Sequence, residues 1–282
     1  APETTQFGRR SLLKGLFAVG VGGLAGTGAY GYLYERHHLE VTKISISPLG
    51  LPEPLVGLRI GFMTDLHHSE TVPKSHIDTA VSLMMAEKPD LIVLGGDYVT
   101  WQNFEYLEGV ADSLSRLTAR YGVYAVIGNH DDDREVPAAL SRSGIEILAD
   151  VRTNLTIRNE SVELVGLRFW TRNAAEIRRL ISEATGYIMM LAHDPRRLTE
   201  ASTFKVPLLL SGHTHGGQVV LPGLGAIAAR KFPIASGLLN SQKTTLFVSR
   251  GVGTVVLPLR LNCPPEIAIL TLENHSKIGD YS

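Results

Sequence analysis

Acidic, amide and histidine side chains recur in five short clusters, each directly after a run of apolar residues. The clusters contain Asp65, His67, Asp97, Asn129, His193, His213 and His215. All seven offer an oxygen or nitrogen donor, which is too many for one tetrahedral ion and suits two metal ions. The sequence therefore predicts a centre for two divalent metal ions.

The spacing inside the clusters supports this interpretation. Asp65 and His67, like His213 and His215, are separated by one residue. On an extended or loop backbone, side chains two positions apart point the same way and can hold neighbouring ions. Glycines in the clusters allow tight turns and leave space for metal, water and substrate. One such cluster is usually an ordinary turn, but five of them favour a metal site.

The apolar runs before the clusters predict strands at residues 58–64, 91–94, 123–127, 187–191 and 206–210. Helical periodicity predicts helices at residues 75–87, 104–120, 136–143 and 175–184. Residues 153–157 and 162–165 indicate a hairpin, and residues 244–248 and 266–272 indicate late strands. The pattern predicts an α/β protein with two sheets in a layered sandwich. Ligands of such sheets bind beyond the carboxyl ends of the strands, so the five clusters should converge.

The clusters also resemble a known signature. Asp65-Leu66-His67, Gly96-Asp97, Gly128-Asn129-His130-Asp131, His193 and Gly212-His213-Thr214-His215 resemble the motifs of calcineurin-like metallophosphoesterases. They follow that family's order over residues 58–218. Residues 95–98, 212–218, 250–253 and 259–263 further resemble a bacterial subgroup of twin-arginine-exported phosphodiesterases.

The resemblance implies a four-layer αββα sandwich with two mixed β-sheets over residues 41–275. It implies that Asp65, His67 and His215 hold one metal ion, that Asn129, His193 and His213 hold a second, and that Asp97 bridges both. The ions would be manganese, zinc or iron, and the ligands do not distinguish these. Together the ions would convert a bridging water into a hydroxide that attacks phosphorus.

The resemblance also implies a role for His130, and positions near the clusters offer further candidates. His130 would act on the substrate, as a proton donor or by stabilising the transition state. Asp131 would orient His130 or stabilise its charge, the alternative being a solvated turn carboxylate. Arg250 is a candidate phosphate clamp, the alternative being a structural ion pair. His68 is a candidate substrate contact or an exposed residue, and Trp101 could line the pocket or simply pack.

The N-terminal residues indicate export. Arg9 and Arg10 precede a stretch without charge over residues 15–31, which is rich in Gly, Ala, Leu and Val. This pattern resembles a twin-arginine signal, with Gly8 where that class has Ser or Thr. The glycines weigh against an amphipathic or core helix. Residues 1–36 are therefore predicted to be a signal or a membrane anchor, and cleavage and retention both stay open.

Export implies the twin-arginine machinery as a partner and a location in the periplasm, the cell wall or the outer face of the cytoplasmic membrane. It favours an envelope-associated lipid or polymer phosphate ester as the substrate. The resemblance implies a phosphodiesterase, with a phosphomonoesterase as the alternative. Substrate choice would lie in loops at residues 101–106 and 221–240. Membrane association is compatible with this location, and the oligomeric state stays open.

Composition excludes other classes. The 282 residues carry a net charge of -1, so no basic surplus supports nucleic-acid binding. The single Cys263 permits no intramolecular disulfide and at most one thiolate ligand. A zinc peptidase or amidase is disfavoured because no His-Glu-x-x-His occurs. A non-catalytic metal-binding scaffold is disfavoured because all seven ligand positions are filled.

Overall fold

The computed structural model describes residues 9–171, 173–241 and 243–274. Within these residues, two six-stranded sheets lie face to face. The strands are β1 Glu40–Ile46, β2 Arg59–Met63, β3 Leu91–Leu94, β4 Val123–Ala125, β5 Glu146–Ile147, β6 Val151–Ile157, β7 Glu160–Leu167, β8 Tyr187–Ala192, β9 Leu208–Ser211, β10 Gly237–Asn240, β11 Thr245–Val248 and β12 Glu266–Leu272. The α-helices are α1 Arg9–Leu33, α2 Lys74–Ala86, α3 Leu107–Leu114, α4 Glu135–Arg142, α5 Ala174–Ser182 and α6 Leu198–Thr203.

Both sheets are mixed. The first has the order β1-β12-β2-β3-β4-β5 and the second β10-β11-β9-β8-β7-β6. Strands β12 and β2 pair antiparallel, as do β6 with β7 and β10 with β11. The remaining neighbours pair parallel. Parallel order within β2-β3-β4 and within β7-β8-β9-β11 brings the carboxyl ends of these strands to one edge of each sheet.

Alternating side chains along the strands build the layers. Ile60 and Phe62 of β2 point between the sheets, where Phe62 meets Phe247 edge-on with ring centroids 6.1 Å apart. Met63, at the next position, packs against the helices α2–α4. Helices α5 and α6 cover the outer face of the second sheet. The predicted four-layer αββα sandwich with two mixed sheets is confirmed.

Several elements differ from the prediction. Strands β1, β5 and β10 were not predicted, and the helix expected over residues 104–120 is a short 3-10 turn followed by α3, which ends at Leu114. The hydroxyl of Ser115 donates to the carbonyl of Asp112 at 2.7 Å. That carbonyl is the acceptor that a further helical turn would use, so the serine competes with continuation of the helix.

Helix α1 covers most of the predicted leader. The glycines do not prevent this helix, but it is no core element, because Phe17 is 74% exposed and Leu33 is 70% exposed. Among the described residues, no helix combines the length and the apolar character needed to cross a membrane. Gly8 of the arginine-pair pattern and residue 275, the predicted domain end, lie outside the described residues.

The end of the predicted leader packs on the domain. A Cβ at Gly31 would lie 2.5 Å from the carbonyl oxygen of Arg260, so only glycine permits this approach. The Glu35 carboxylate accepts a hydrogen bond from the backbone N–H of Cys263 at 2.6 Å. The predicted boundary at residue 36 therefore falls after a segment that is already part of the packed structure.

Arg260 organises the loop beside this contact. Its guanidinium is fully buried and donates to four backbone carbonyls at 2.6–3.2 Å. The acceptors are the carbonyls of Arg250, Gly251, Gly253 and Cys263. Gly253 in turn donates its N–H to the carbonyl of Asp65 at 2.7 Å, so Arg260 supports the loop that carries the first acidic cluster.

We predict that Arg260→Met lowers the free energy of unfolding by about 3 kcal/mol, because a hydrogen bond to a charged group contributes about 1.5–3 kcal/mol and the abandoned carbonyls stay buried. Chemical denaturation measures the change. Arg120→Met is the matched control, since Arg120 lies exposed on the surface. Equal stability of the two variants would contradict the supporting role of Arg260.

Candidate metal centre

The five polar clusters converge where the carboxyl ends of the two sheets meet. Asp65 and His67 follow β2, and Asp97 follows β3. Asn129 lies in the loop after β4. From the second sheet, His193 follows β8, while His213 and His215 follow β9. The structure thus brings all the sequence-predicted ligands to one place.

Two groups of three donors are formed there. In the first, the Asp65 Oδ1 atom lies 3.2 Å from the His215 Nε2 atom, which lies 3.1 Å from His67 Nε2. In the second, Asp97 Oδ2 lies 3.1 Å from His193 Nε2, which lies 3.2 Å from His213 Nδ1. In each group the ligand atoms lie within 4.8 Å of one another.

Asp97 belongs to the second group and also lies against the first. Its Oδ2 atom is 3.4 Å from His67 Nε2 of the first group and 3.1 Å from His193 Nε2 of the second. This is the position that a ligand shared by two ions requires. A third group, formed by His67, Asp97 and His130, also meets the 4.8 Å criterion, so distance alone does not exclude His130 as a ligand.

The donors fit divalent ions. The Oδ1 atom of Asn129 is buried without a hydrogen-bond partner among the described residues, which is costly unless another group satisfies it. His193 donates its Nδ1–H to the carbonyl of Gly95 at 2.7 Å, which leaves Nε2 as the coordinating nitrogen. An orphaned amide oxygen and an oriented imidazole are what bound cations would use.

The charges in the cluster also indicate that it suits a divalent cation. Burial alone would raise the pKa of Asp97, but the charge of His193 and hydrogen bonds from His193 and His67 hold it well below its ordinary value. Burial alone would lower the pKa of His193, but Asp97 and Asp65 raise it to about 10. Burial and the charge of His193 lower the pKa of His213 to about 4. The two carboxylates therefore stabilise a proton on His193, and a divalent cation bound here would replace that proton as the source of positive charge.

The backbone is strained at the ligands. Five of them have φ between 49° and 71°, a region that residues other than glycine rarely adopt: Asp65, His67, Asp97, His213 and His215. Such conformations cost about 1–3 kcal/mol each and persist only where the surrounding structure imposes them. His213 is the centre of a three-residue turn, in which Thr214 donates its N–H to the carbonyl of Gly212 at 2.9 Å.

Neighbouring glycines make room for the acidic ligands themselves. A Cβ at Gly128 would lie 2.1 Å from Asp97 Oδ1, and one at Gly212 would lie 2.3 Å from Asp65 Oδ2. The same carboxylates accept backbone N–H groups, since His130 donates to Asp97 at 2.8 Å and His213 donates to Asp65 at 3.0 Å. The glycines thus fix the direction of both carboxylates.

Asp131 does not act on the imidazole of His130. Its buried carboxylate accepts the N–H groups of Asp97 and Gly128 at 2.8 Å and that of Tyr98 at 2.9 Å. Burial and the charge of Asp97 raise the pKa of Asp131 to about 7, against these three donors. It is neither an orienting partner nor a solvated turn residue, because it joins the loop after β3 to the loop after β4.

His130 is oriented by Trp101 instead. The backbone N–H of Trp101 donates to His130 Nδ1 at 3.0 Å, and the two rings lie with centroids 4.1 Å apart. An accepting Nδ1 leaves the proton of the neutral ring on Nε2. Burial lowers the pKa of His130, which favours this neutral form.

The two candidate substrate contacts lie elsewhere. Arg250 forms ion pairs with Glu266 at 2.7 Å and Glu40 at 2.9 Å, which is the structural alternative. His68 is buried rather than exposed, with Nδ1 2.9 Å from the carbonyl of Val72 and its ring against Tyr106. Neither side chain lines the cleft above the ligands. Cys263 is buried and is no ligand of either group.

Two aromatic residues flank the centre without having been predicted. The rings of Phe169 and Phe232 each lie 5.2 Å, centroid to centroid, from the ring of His213. Phe232 belongs to the loop at residues 221–240, whose composition carries no periodic pattern. Its position against His213 depends on tertiary structure, so no local signal could have identified it.

We predict that Asp131→Asn lowers the free energy of unfolding by about 2 kcal/mol, because one amide –NH2 group would face backbone N–H donors. It should also weaken metal binding, since the Asp97 loop loses its support. Denaturation and metal titration check both effects. Asp133→Asn is the control, because that neighbouring carboxylate is largely exposed. Unchanged stability together with a shifted pH–rate profile would instead show that Asp131 orients His130 or stabilises its charge.

Comparison with known proteins places this geometry in a family. Residues 58–217 match the family model described as calcineurin-like phosphoesterase. The chain is 29% identical to the uncharacterized metallophosphoesterase YkuE of Bacillus subtilis, over 94% of this chain and 98% of that protein. It is 31% identical to the phosphodiesterase YaeI of Escherichia coli, over 88% of this chain and 94% of that protein.

A solved structure shares the fold. The sulfate thiohydrolase SoxB of Thermus thermophilus superposes with a TM-score of 0.50 at 12% identity. The match covers 79% of this chain and 58% of that protein, so the chain spans little more than half of SoxB's length. The family match spans every loop that carries a predicted ligand, and the identity of 31% to YaeI extends over 88% of this chain. The chain therefore belongs to the calcineurin-like phosphoesterase family, which supports a metal-dependent phosphoester hydrolase.

Proposed function

We propose that the protein is a phosphodiesterase that uses two divalent metal ions to hydrolyse a lipid or polymer phosphate ester of the cell envelope. The observation that carries the proposal is the position of Asp97, which belongs to one group of three donors and also lies against the other. The relative YaeI, which is named a phosphodiesterase, supports diester rather than monoester hydrolysis. Two ions, if bound, would neutralise phosphate charge and activate water.

The residues of the chain then have separate tasks. Asp65 and Asp97 supply the negative charge that retains the cations. His130 carries its proton on Nε2 and can donate it to a phosphate oxygen or to the leaving oxygen. The strained loops keep these groups in fixed directions before substrate arrives, so that little reorganisation is needed during the reaction.

The envelope location rests on the N-terminal pattern. The arginine pair and the following uncharged stretch support export by the twin-arginine route. The protein would then act in the periplasm, in the cell wall or on the outer face of the cytoplasmic membrane. Mass spectrometry of the exported chain distinguishes a cleaved signal from a retained anchor, and a chain found only in the cytoplasm would refute export.

We predict that the metal-loaded protein hydrolyses an aryl phosphodiester faster than the aryl monoester. Asp97→Asn should lose more than about 99% of the activity, because the ligand between the two metal groups loses its charge. Rates are measured with manganese, zinc and iron in turn. Asp133→Asn is the matched control, because it makes the same chemical change at a largely exposed position outside the centre.

Other outcomes are informative. Hydrolysis of the monoester alone would support the metal centre but identify the protein as a phosphomonoesterase rather than a phosphodiesterase. Bound metal without hydrolysis of either ester would favour a non-catalytic scaffold on this fold.

We predict that His130→Gln lowers kcat by about 10²- to 10⁴-fold, the usual contribution of a positioned acid or base, while the metal content stays unchanged. Metal analysis and steady-state rates are measured on the same preparation. Loss of one ion in the variant would show that His130 is a ligand, as the third group of donors allows.

A further inference from the structure

The metal centre opens into a cleft of about 710 Å³. The floor contains Asp97, Asn129, His130 and His213. One wall consists of residues 219–232 and the other of residues 255–257 together with Trp101. This volume matches that of sites for small organic ligands, and much of it lies beyond the reach of a phosphate group.

The walls are apolar. Val219, Leu221, Ile227 and Phe232 lie on one side, and Val255, Val256 and Leu257 lie on the other. Lys231 is the one charged residue among the described residues that line these walls. A polyanionic polymer would need several cations along its path, and a sugar chain would need many hydrogen-bonding side chains. The walls offer neither, and they are chemically matched to hydrocarbon.

The apolar residues are also unusually exposed at the rim. Val256 is 79% exposed, Trp101 is 68% exposed, Leu257 is 59% exposed and Ile227 is 47% exposed. Exposed apolar residues that line one cleft together indicate a binding surface rather than scattered surface residues.

The backbone holds Val256 at the rim under strain. Val256 has φ 63°, a left-handed value that is a rare outlier for a β-branched residue. Leu257 donates its N–H to the carbonyl of Val255 at 2.7 Å, which closes a tight three-residue turn around Val256. The strain gains no packing in return, because the side chain points into solvent.

Gln218, which directly precedes Val219, holds this turn in place. Its side chain accepts the N–H of Val255 at 2.7 Å and donates to the carbonyl of Leu257 at 3.1 Å. Gln218 itself has φ 56° and follows His215 by three positions. The rim is thus tied to the loop that carries two predicted metal ligands. A strained, exposed apolar residue fixed beside a reactive centre is typical of a ligand contact.

From these observations we propose that the cleft binds the alkyl or acyl chain of the substrate, so that the substrate is an amphiphilic phosphodiester. Its phosphate lies at the metal centre and its hydrocarbon lies between residues 219–232 and residues 255–257. This inference rests on the proposed function and selects a lipid rather than a polymer ester.

The test uses alkyl 4-nitrophenyl phosphate diesters from methyl to hexyl, kept monomeric. Water adds to phosphorus, 4-nitrophenolate leaves, and the alkyl phosphate remains, so the chemistry is constant while the chain length varies. Complete burial of one methylene corresponds to about a fourfold gain. Because the cleft is open, we expect kcat/KM to rise at least about tenfold from methyl to hexyl.

Variants locate the effect. In Ile227→Ser and Leu257→Ser the hexyl-to-methyl ratio of kcat/KM should fall towards one. Leu49→Ser should leave that ratio unchanged, since Leu49 is 57% exposed beyond the far end of β1. Val256→Gly should lower the ratio while the melting temperature stays equal or rises, because glycine adopts positive φ without strain. A fall in the ratio that merely follows lost stability would overturn the assignment.

A binding measurement separates this inference from the proposed function. Calorimetry with methyl, butyl and octyl phosphonate should show affinity that increases with chain length. If affinity depends on chain length but no ester is hydrolysed, the phosphodiesterase proposal is refuted and the assignment of the cleft to a hydrocarbon chain stands. Ester hydrolysis with neither rates nor affinities dependent on chain length would overturn the inference. Binding to phospholipid vesicles or self-association that needs Val256 and Leu257, without chain dependence, would assign the rim to a membrane surface or to a second copy.

Discussion

The carboxylates of Asp65 and Asp97 are fully buried side by side among five imidazole rings. Two such charges repel each other and lose their hydration, so they are tolerated only where positive charge and hydrogen-bond donors surround them. The surrounding loops supply the donors. His213 and His130 donate their backbone N–H groups to these carboxylates, and the Asp131 carboxylate accepts the backbone N–H of Asp97. The left-handed backbone of five ligands is the conformational cost of keeping both charges in place.

The fold could be predicted in outline because its central strands are buried on both faces. Strands β3 and β8 are apolar throughout, β2 and β9 are apolar except for Arg59 and Ser211 at one end, and all four are too short to be typical helices. Edge strands carry a weaker signal. Strand β1 mixes polar and apolar residues without strict alternation, and β5 has two residues, so their pairing depends on neighbours that are distant in sequence. The early end of α3 depended on a local competition by Ser115, which periodicity does not register.

The candidate site was likewise predictable only in part. The ligand clusters were visible because each lies directly after a buried strand, where topology alone determines the meeting point. The direction of individual side chains could not be predicted from the sequence. Asp131 follows His130 in sequence but turns to the Asp97 backbone, and Arg250 turns to Glu266 and Glu40. The cleft walls come from residues 219–232 and 255–257, which meet through the side chain of Gln218. Tertiary contacts decide each of these directions.

Strand β1 pairs with β12, and β12 separates β1 from β2. Glu40 therefore meets Glu266, and Ala268 meets Phe62, across more than two hundred positions of chain. A nascent chain cannot complete this sheet while β12 is still inside the ribosome, since the strand that supports the Asp65 loop has not emerged. Contacts of such sequence separation form slowly. The loop that carries Asp65 therefore gains its final support only after β12 has been synthesised, and a metal ion held by Asp65 would reach its final geometry only from that point.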